Sequence, residues 1–461
     1  MAGRQEVKCI GPSYQLADRK AAVQRSVNLY LRQIEGLGED RQLILDSCPG
    51  LRTLVDLGAT VRGSYNAYGR WFVVAGSTLY EVQTSGSYVS RGTLASSSGF
   101  VSMKAGRDQL VIVDGPNGYV FSLATNTFNP ITDPDWRGSN WVEELDGYFV
   151  FVAPGSDQFY LSAIDDGANY DALDFSSADA QPDNIITHRV KKRELFLFGM
   201  VSTEVWINSG DADFPFVRYN STPIDVGIVG NRAAIFAGDT LIFVGQTVSG
   251  AGYVYEMQGH QPVRISTQAV EEALQSSTDL SKASMWTYQT DGNEFVGINA
   301  PGLGTTWVFD FSTRQWHERA DFADGGFLPL RADIVTFVGN RHYATGGTKL
   351  YRLDSSYYQN GDDILARERT WPHLVTPSLE PIAYRGLELQ CKTGEGGSIT
   401  LEISNDGGYV YGPPLARSLG AVGRRNQRVR WLLLGSGLDR VHRLRITDAV
   451  PATFYSCALD A

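Results

Sequence analysis

Trp71-Phe72-Val73-Val74-Ala75-Gly76-Ser77-Thr78-Leu79-Tyr80-Glu81-Val82 is the stretch whose reading decides the fold. A short apolar run meets a turn carrying Gly76, and a second run opens on an aliphatic–aromatic pair. The same unit returns at Leu110-Val111-Ile112-Val113 with Tyr119-Val120-Phe121, and at Tyr148-Phe149-Val150-Phe151 with Phe159-Tyr160-Leu161. It continues at Leu195-Phe196-Leu197-Phe198 with Val205-Trp206-Ile207, at Leu241-Ile242-Phe243-Val244 with Tyr253-Val254-Tyr255, and at Phe295-Val296-Gly297-Ile298 with Trp307-Val308-Phe309. A thinner seventh copy is His342-Tyr343-Ala344 with Leu350-Tyr351-Arg352-Leu353. Spacings of about 40 to 55 residues are those of β-propeller blades. The expected fold is therefore all-β, a propeller of seven blades, with six as the alternative count because the last unit is thin. Turns such as Asp114-Gly115-Pro116-Asn117-Gly118 and Thr345-Gly346-Gly347-Thr348 supply Gly or Asn where positive φ is needed.

Working outward, the repeat divides the chain into an N-terminal arm of residues 1–60, a propeller of 61–365 and a C-terminal segment of 366–461. Pro372, Pro377 and Pro381 mark the second boundary. Beyond it, Gly386-Leu387-Glu388-Leu389-Gln390-Cys391, Ser398 to Ser404, Arg428 to Leu432 and Val441 to Ile446 alternate strictly, as half-exposed strands of a β-sandwich do. Within the propeller two insertions interrupt the rhythm. Asp165 to Pro182 reads as a polar, acidic excursion from one blade. Ser266 to Lys282 reads as one short helix, with Thr267 as N-cap, Val270, Ala273 and Leu274 on one face, and Glu271, Glu272 and Gln275 on the other.

The chain has 461 residues and a formal net charge of −11, which does not suit a tight nucleic-acid binder. Cys9, Cys48, Cys391 and Cys457 are scattered without metal-ligand spacing and are expected to be four reduced thiols. Met1 to Pro12 has no apolar core of a secretory signal, and no apolar run reaches the length of a membrane span. These readings predict synthesis and assembly in the cytoplasm.

No constellation predicts catalysis, a cofactor or a resident metal. There is no GxSxG elbow, Walker loop, HExxH or dinucleotide fingerprint. His317-Glu318 reads as surface polarity at a strand end. Asp165 to Asp171 alternates oxygen donors but lacks the bidentate Glu of an EF-hand, so a solvated loop is the expectation. Ser404-Asn405-Asp406-Gly407-Gly408-Tyr409-Val410-Tyr411 is similar to the structural Asp-box turn of sialidases, with Tyr in place of Trp. Glu143, Glu144 and Asp146 lie together before one strand. A propeller glycosidase, sialidase-like or polysaccharide-degrading, is the enzymatic alternative; it needs convergent carboxylates, or an Arg cluster with a Tyr nucleophile. The C-terminal strands are locally basic, and Arg428, Arg430, Arg443 and Arg445 alternate along them. They read either as solvated outward positions or as a protein interface for an acidic neighbour, including another copy of the chain.

One resemblance covers most of the chain. Val27-Asn28-Leu29-Tyr30 is followed by Cys48-Pro49-Gly50; the first blade ends Gly76-Ser77-Thr78-Leu79-Tyr80; Val101-Ser102-Met103 precedes Gly106-Arg107. Ser156-Asp157-Gln158-Phe159-Tyr160 leads to Ala180-Gln181-Pro182-Asp183-Asn184-Ile185-Ile186, then Phe198-Gly199 and Glu204-Val205-Trp206. With the helix at Ala269 to Leu274 and the Ser404-Asn405-Asp406-Gly407 turn, this order resembles the packaged-DNA stabilisation proteins of short-tailed bacteriophages, also called tail accessory, hub or nozzle proteins. The resemblance implies a structural virion protein with no enzymatic activity. It implies a homo-oligomer, a sixfold ring below the portal and adaptor rings, which extends the channel and helps retain the genome. Tail spike, fibre or needle proteins would dock on it, and double-stranded DNA would pass without tight binding.

Overall fold

The structure, a computed structural model, describes residues 4–35, 41–211, 213–219, 222–375 and 380–460. Pro377 lies outside the described residues. Among the described residues the chain is all-β with one α-helix, and its larger body is a propeller. Blade one is an antiparallel meander of Val61–Ala67, Arg70–Ala75, Thr78–Val82 and Tyr88–Thr93. Blades two to six follow at residues 102–130, 142–177, 185–218, 227–264 and 284–323. The repeated apolar pair of the sequence is the two middle strands of each blade. They are apolar on both faces because neighbouring blades cover both, as at Trp71 to Ala75, all buried.

The seventh blade settles the count. Its own strands are Ile334–Val338, Arg341–Gly346 and Lys349–Asp354, and its fourth is Gly50–Asp56, taken from the N-terminal arm and paired antiparallel to Lys349–Asp354. The unit looked thin because its outermost strand lies at the other end of the propeller sequence. The ring closes between blades seven and one, where Ser64 and Thr336 share a hydroxyl hydrogen bond of 2.7 Å and Asn66 Nδ2 donates to the Phe337 carbonyl at 2.7 Å. Gly50 is required at this join: a Cβ there would stand 2.1 Å from the Tyr357 carbonyl oxygen.

The rest of the arm is equally integrated. Val23–Val27 pairs in parallel with the outer strand of blade six at Glu318 and antiparallel with Arg367–Thr370. The sixth sheet thus runs on through the arm into Val441–Ile446, Ser398–Ser404 and Leu415–Ser418. A second sheet is built from the hairpin Leu29–Glu35 and Arg41–Ser47, then Thr453–Asp460, Gly386–Cys391 and Val429–Leu432. The two sheets form the C-terminal sandwich around Leu29, Leu45, Trp371, Leu387, Trp431 and Leu444.

Three local readings are corrected. Asp165 to Pro182 is mostly strand: Asp166–Ser177 is the long outer strand of blade three. Its aspartates serve the turn, Asp166 accepting from the Ala168 amide and Asn169 Nδ2. The helix is shorter than expected, Gln268–Gln275 with a separate 3-10 turn at Leu280–Lys282, and Thr267 makes no side-chain cap. Glu271 faces inward, held by Arg264 and by the Ser266 hydroxyl.

The fourth correction concerns thiols. Cys9 and Cys457 form a disulfide across 448 residues, with Cα atoms 6.0 Å apart, because Arg4–Val7 pairs with Thr453–Asp460. Cys48 and Cys391 are free, and burial pushes both thiols up to about 12. Because the crosslink joins near-terminal strands, reducing it or making Cys9→Ser is expected to lower unfolding free energy by about 2–5 kcal/mol. Urea unfolding with and without reductant checks this; coincident curves contradict it.

Candidate functional surfaces

The inner strands of all seven blades converge on the propeller axis, where side chains leave a cavity of about 210 Å³, the liquid volume of about seven waters. Arg189, from blade four, is fully buried there. Its guanidinium lies 3.6 Å from the Trp141 ring centroid and donates to Thr187 Oγ1 and to the carbonyls of His188, Asn231 and Ala234. Those last two bonds tie blade four to blade five. Trp141 stacks on Phe100 with centroids 5.5 Å apart and donates from Nε1 to Glu143. Lys104 Nζ meets the other Glu143 oxygen at 2.6 Å. Burial alone would raise the Glu143 carboxyl, but the charges of Lys104 and Arg189 outweigh it and hold the group below the usual carboxylate range. A carboxylate held ionised is the opposite of a glycosidase's general acid. Its sequence neighbours do not join it: Glu144 accepts from the Gly147 amide, and Asp146 sits in a turn at φ 53° and pairs with Arg193.

The plugged axis has a consequence for nucleic acid. A duplex whose major groove alone is about 12 Å wide does not thread a cavity of 210 Å³. The propeller axis is therefore not a path for a DNA duplex.

The four arginines singled out in the sequence fall on two different sheets. Arg443 and Arg445 lie in the sheet continuous with blade six, where side chains form an alternating ladder: Glu318, Arg25, Glu368, Arg445, Arg443 and Glu402. Arg443 also lies 3.7 Å from the Tyr411 ring centroid. Glu318 and Glu368 are almost fully buried, so these cations are internal partners. His317 and Glu318 are correspondingly buried, not surface polarity: the arm strand Val23–Val27 lies beside them, and Thr305 Oγ1 donates to Glu318 at 2.7 Å. Arg428 and Arg430 belong to the opposite sheet and face solvent. Arg428 is 64% exposed and pairs in a fork with Glu388 at 2.9 and 2.7 Å. The Arg430 carbonyl accepts from Arg417 Nε at 2.8 Å.

This split is testable. Arg443→Ala with Arg445→Ala strands two buried glutamates and is expected to destabilise by about 3 kcal/mol or more. Arg428→Ala with Arg430→Ala is expected to change stability by less than about 1 kcal/mol. Chemical denaturation of the two double variants checks the contrast; equal losses contradict it.

Residues 24–356 match the family model described as bacteriophage P22 Gp10, beta-propeller, and residues 371–461 match that of the P22 Gp10 beta-sandwich. The first match begins inside the arm, at the strand that joins blade six to the sandwich. Among individual proteins the chain is similar to the tail hub protein gp10 of Salmonella phage P22, 23% identical over 281 residues. That match spans 59% of this chain and 59% of the relative. Among solved structures it is similar to the extracellular domain of a one-component system of B. thetaiotaomicron, with TM-score 0.45, 9% identity and coverage of 87% of this chain and 58% of that one. It is also similar to the N-terminal domain of Nup159, with TM-score 0.41, 9% identity and coverage of 72% and 99%. Propeller and sandwich are matched in the order in which the chain builds them, and the chain belongs to the bacteriophage P22 Gp10 family.

Proposed function

We propose that this chain is a structural component of a short phage tail, a hub ring below the portal and its adaptor that extends the DNA channel and helps retain the packaged genome. The observation that carries this reading is the joint match to both parts of the P22 Gp10 family, together with similarity to a tail hub protein. In this reading the protein is made in the host cytoplasm, forms a homo-oligomer of sixfold symmetry, and offers docking faces to the adaptor and to spike, fibre or needle proteins. The arm of residues 1–60 fastens the propeller of 61–365 to the sandwich of 366–461. The protein works without catalysis and needs no cofactor.

The plugged axis supports a channel formed between subunits. A net charge of −11 per chain makes such a channel poor at counterion release and so a weak brake on moving DNA. Particle reconstruction tests the hub assignment: density for both domains is expected in the tail, and particles lacking the protein are expected to lose packaged DNA. Particles that keep their genome and complete their tails without it overturn the assignment. Submicromolar binding of the free protein to duplex DNA at about 0.15 M salt contradicts the weak-brake reading.

A further inference from the structure

One edge of the sandwich is left unfinished in a single chain. Leu415–Ser418 ends its sheet and is exposed at all four residues. Beside it, Val429–Leu432 ends the opposite sheet, and the two edges are stitched by side chains: Trp431 Nε1 donates to the Leu415 carbonyl and Arg417 Nε to that of Arg430. Around this edge stand Arg417, Arg424, Arg425, Arg428 and Arg430, all exposed, with Glu388 forked to Arg428 and Glu395 beside Lys392 as neighbouring carboxylates. Among the cations lie bare apolar side chains: Val422 is 84%, Leu432 53% and Leu433 91% exposed. Solvated charge alone does not account for Leu433, which also holds a positive φ of 58° that presents it outward.

The complementary surface is on the same chain but on a different body. In blade three, the hairpin joining Gln158–Ala163 to Asp166–Ser177 carries Ile164, 61% exposed, and Leu173, 78% exposed. Asp165, Asp166, Asp171 and Asp174 lie in the same hairpin. Among the described residues Asp166, Asp171 and Asp174 have no ion-pair partner, and Asp165 has only a 3.9 Å approach from the exposed Arg107. Partial burial, and then the charge of Asp171, raise the Asp174 carboxyl, as expected of an acidic group lacking a cation. Asp166–Ser177 is also the outermost strand of its blade, with the Tyr170 amide held by Asp133 and the Ala172 carbonyl by Arg137.

We infer that the basic, apolar edge of the sandwich docks on the acidic, apolar hairpin of blade three of a second copy of this chain. The occupant is another copy because charge sign and exposed apolar content are complementary within one sequence. The two patches are different surfaces, so the contact is heterologous. Repeated, it closes into a ring or runs on as a filament, whereas a self-complementary patch would stop at a dimer. The inference deepens the hub reading and rests on it for the closed ring.

The experiment uses the full chain and two charge reversals, Arg428→Glu with Arg430→Glu and Asp171→Arg with Asp174→Arg. Sedimentation velocity at about 0.05 and 0.5 M salt reads the association. The wild-type chain is expected to self-associate more at low salt, each variant to associate roughly tenfold or more weakly, and an equimolar mixture of the two to regain association. Unchanged circular dichroism and melting exclude misfolding as the cause. A wild-type chain that stays monomeric at all concentrations, variants that associate like wild type, or a mixture without rescue overturns the contact. Particle reconstruction judges the hub reading separately: a ring in the tail whose subunits meet through other surfaces sinks this contact and leaves the hub standing.

Discussion

A chain lacking residues 1–56 is expected not to fold at all, although the deletion touches none of the 61–365 repeat. The arm contributes the fourth strand of blade seven, the strand joining blade six to the sandwich, and three strands of the opposite sandwich sheet. Leu29, Tyr30, Leu31, Ile44, Leu45 and Leu51 all leave the core with it. At about 1.5–3 kcal/mol for each fully buried apolar side chain, the loss exceeds about 10 kcal/mol, comparable to the whole net stability of a typical domain, about 5–15 kcal/mol. Arg369 would also lose its partners, since its guanidinium donates to the carbonyls of Cys9, Pro12 and Arg25 and to the Ser26 hydroxyl. An unpaired edge at Lys349–Asp354 then invites aggregation. Expression, gel filtration and a thermal melt of the truncated chain give the answer. A soluble monomer with a cooperative transition would show that the propeller closes without its borrowed strand.

The second large effect is acid instability. Three histidines are buried as neutral rings. Burial pushes His188 down to about 4, and burial followed by the nearby cation pushes His317 and His442 down to about 3, with Arg319 beside the first and Arg440 beside the second. Their unfolded value is about 6.5. The unfolded chain therefore binds protons that the folded chain refuses, so the stability is present above pH 6.5 and is lost as pH falls towards the folded values. Each ring removes about 1.4 kcal/mol per pH unit in that window, so three remove roughly 8 kcal/mol by about pH 4.5. Glu143 and Glu318 act in the same direction at lower pH: burial raises both, neighbouring cations outweigh it, and their folded values lie below the unfolded ones. Urea midpoints are expected to drop steeply between pH 7 and 5. His442 is the cleanest probe, because its ring stacks on Trp371 at 5.3 Å and neither nitrogen has a hydrogen-bond partner among the described residues. His442→Phe is expected to remove about a third of the acid slope. A stability that is flat from pH 7 to 5 would contradict neutral burial of these rings.

These two expectations mark the divide between local and long-range information. The middle strands of the blades were legible in the sequence because each is covered on both faces, so selection for burial writes a continuous apolar run. Trp71 to Ala75 and Leu110 to Val113 show it. The outer strands carry no such signature: Tyr88–Thr93 is largely exposed, and Asp166–Ser177 reads as an acidic loop. Alternation in the C-terminal segment announced a sandwich, and the charge of its strands announced arginines pointing away from the core.

Which sheet an arginine points from is a matter of strand order, and strand order is set by pairings between distant segments. That is why Arg443 and Arg445 end inside a ladder of buried glutamates while Arg428 and Arg430 meet solvent. The same reason hides Gly50–Asp56 from the seventh blade and Cys9 from Cys457, and makes His317-Glu318 look like surface until the arm strand lies beside it. Composition and periodicity in one stretch of chain report how much of that stretch is covered. They do not report what covers it, because the covering segment is chosen by the folding of the whole chain: here the N-terminal arm, which closes the last blade and joins the propeller to the sandwich.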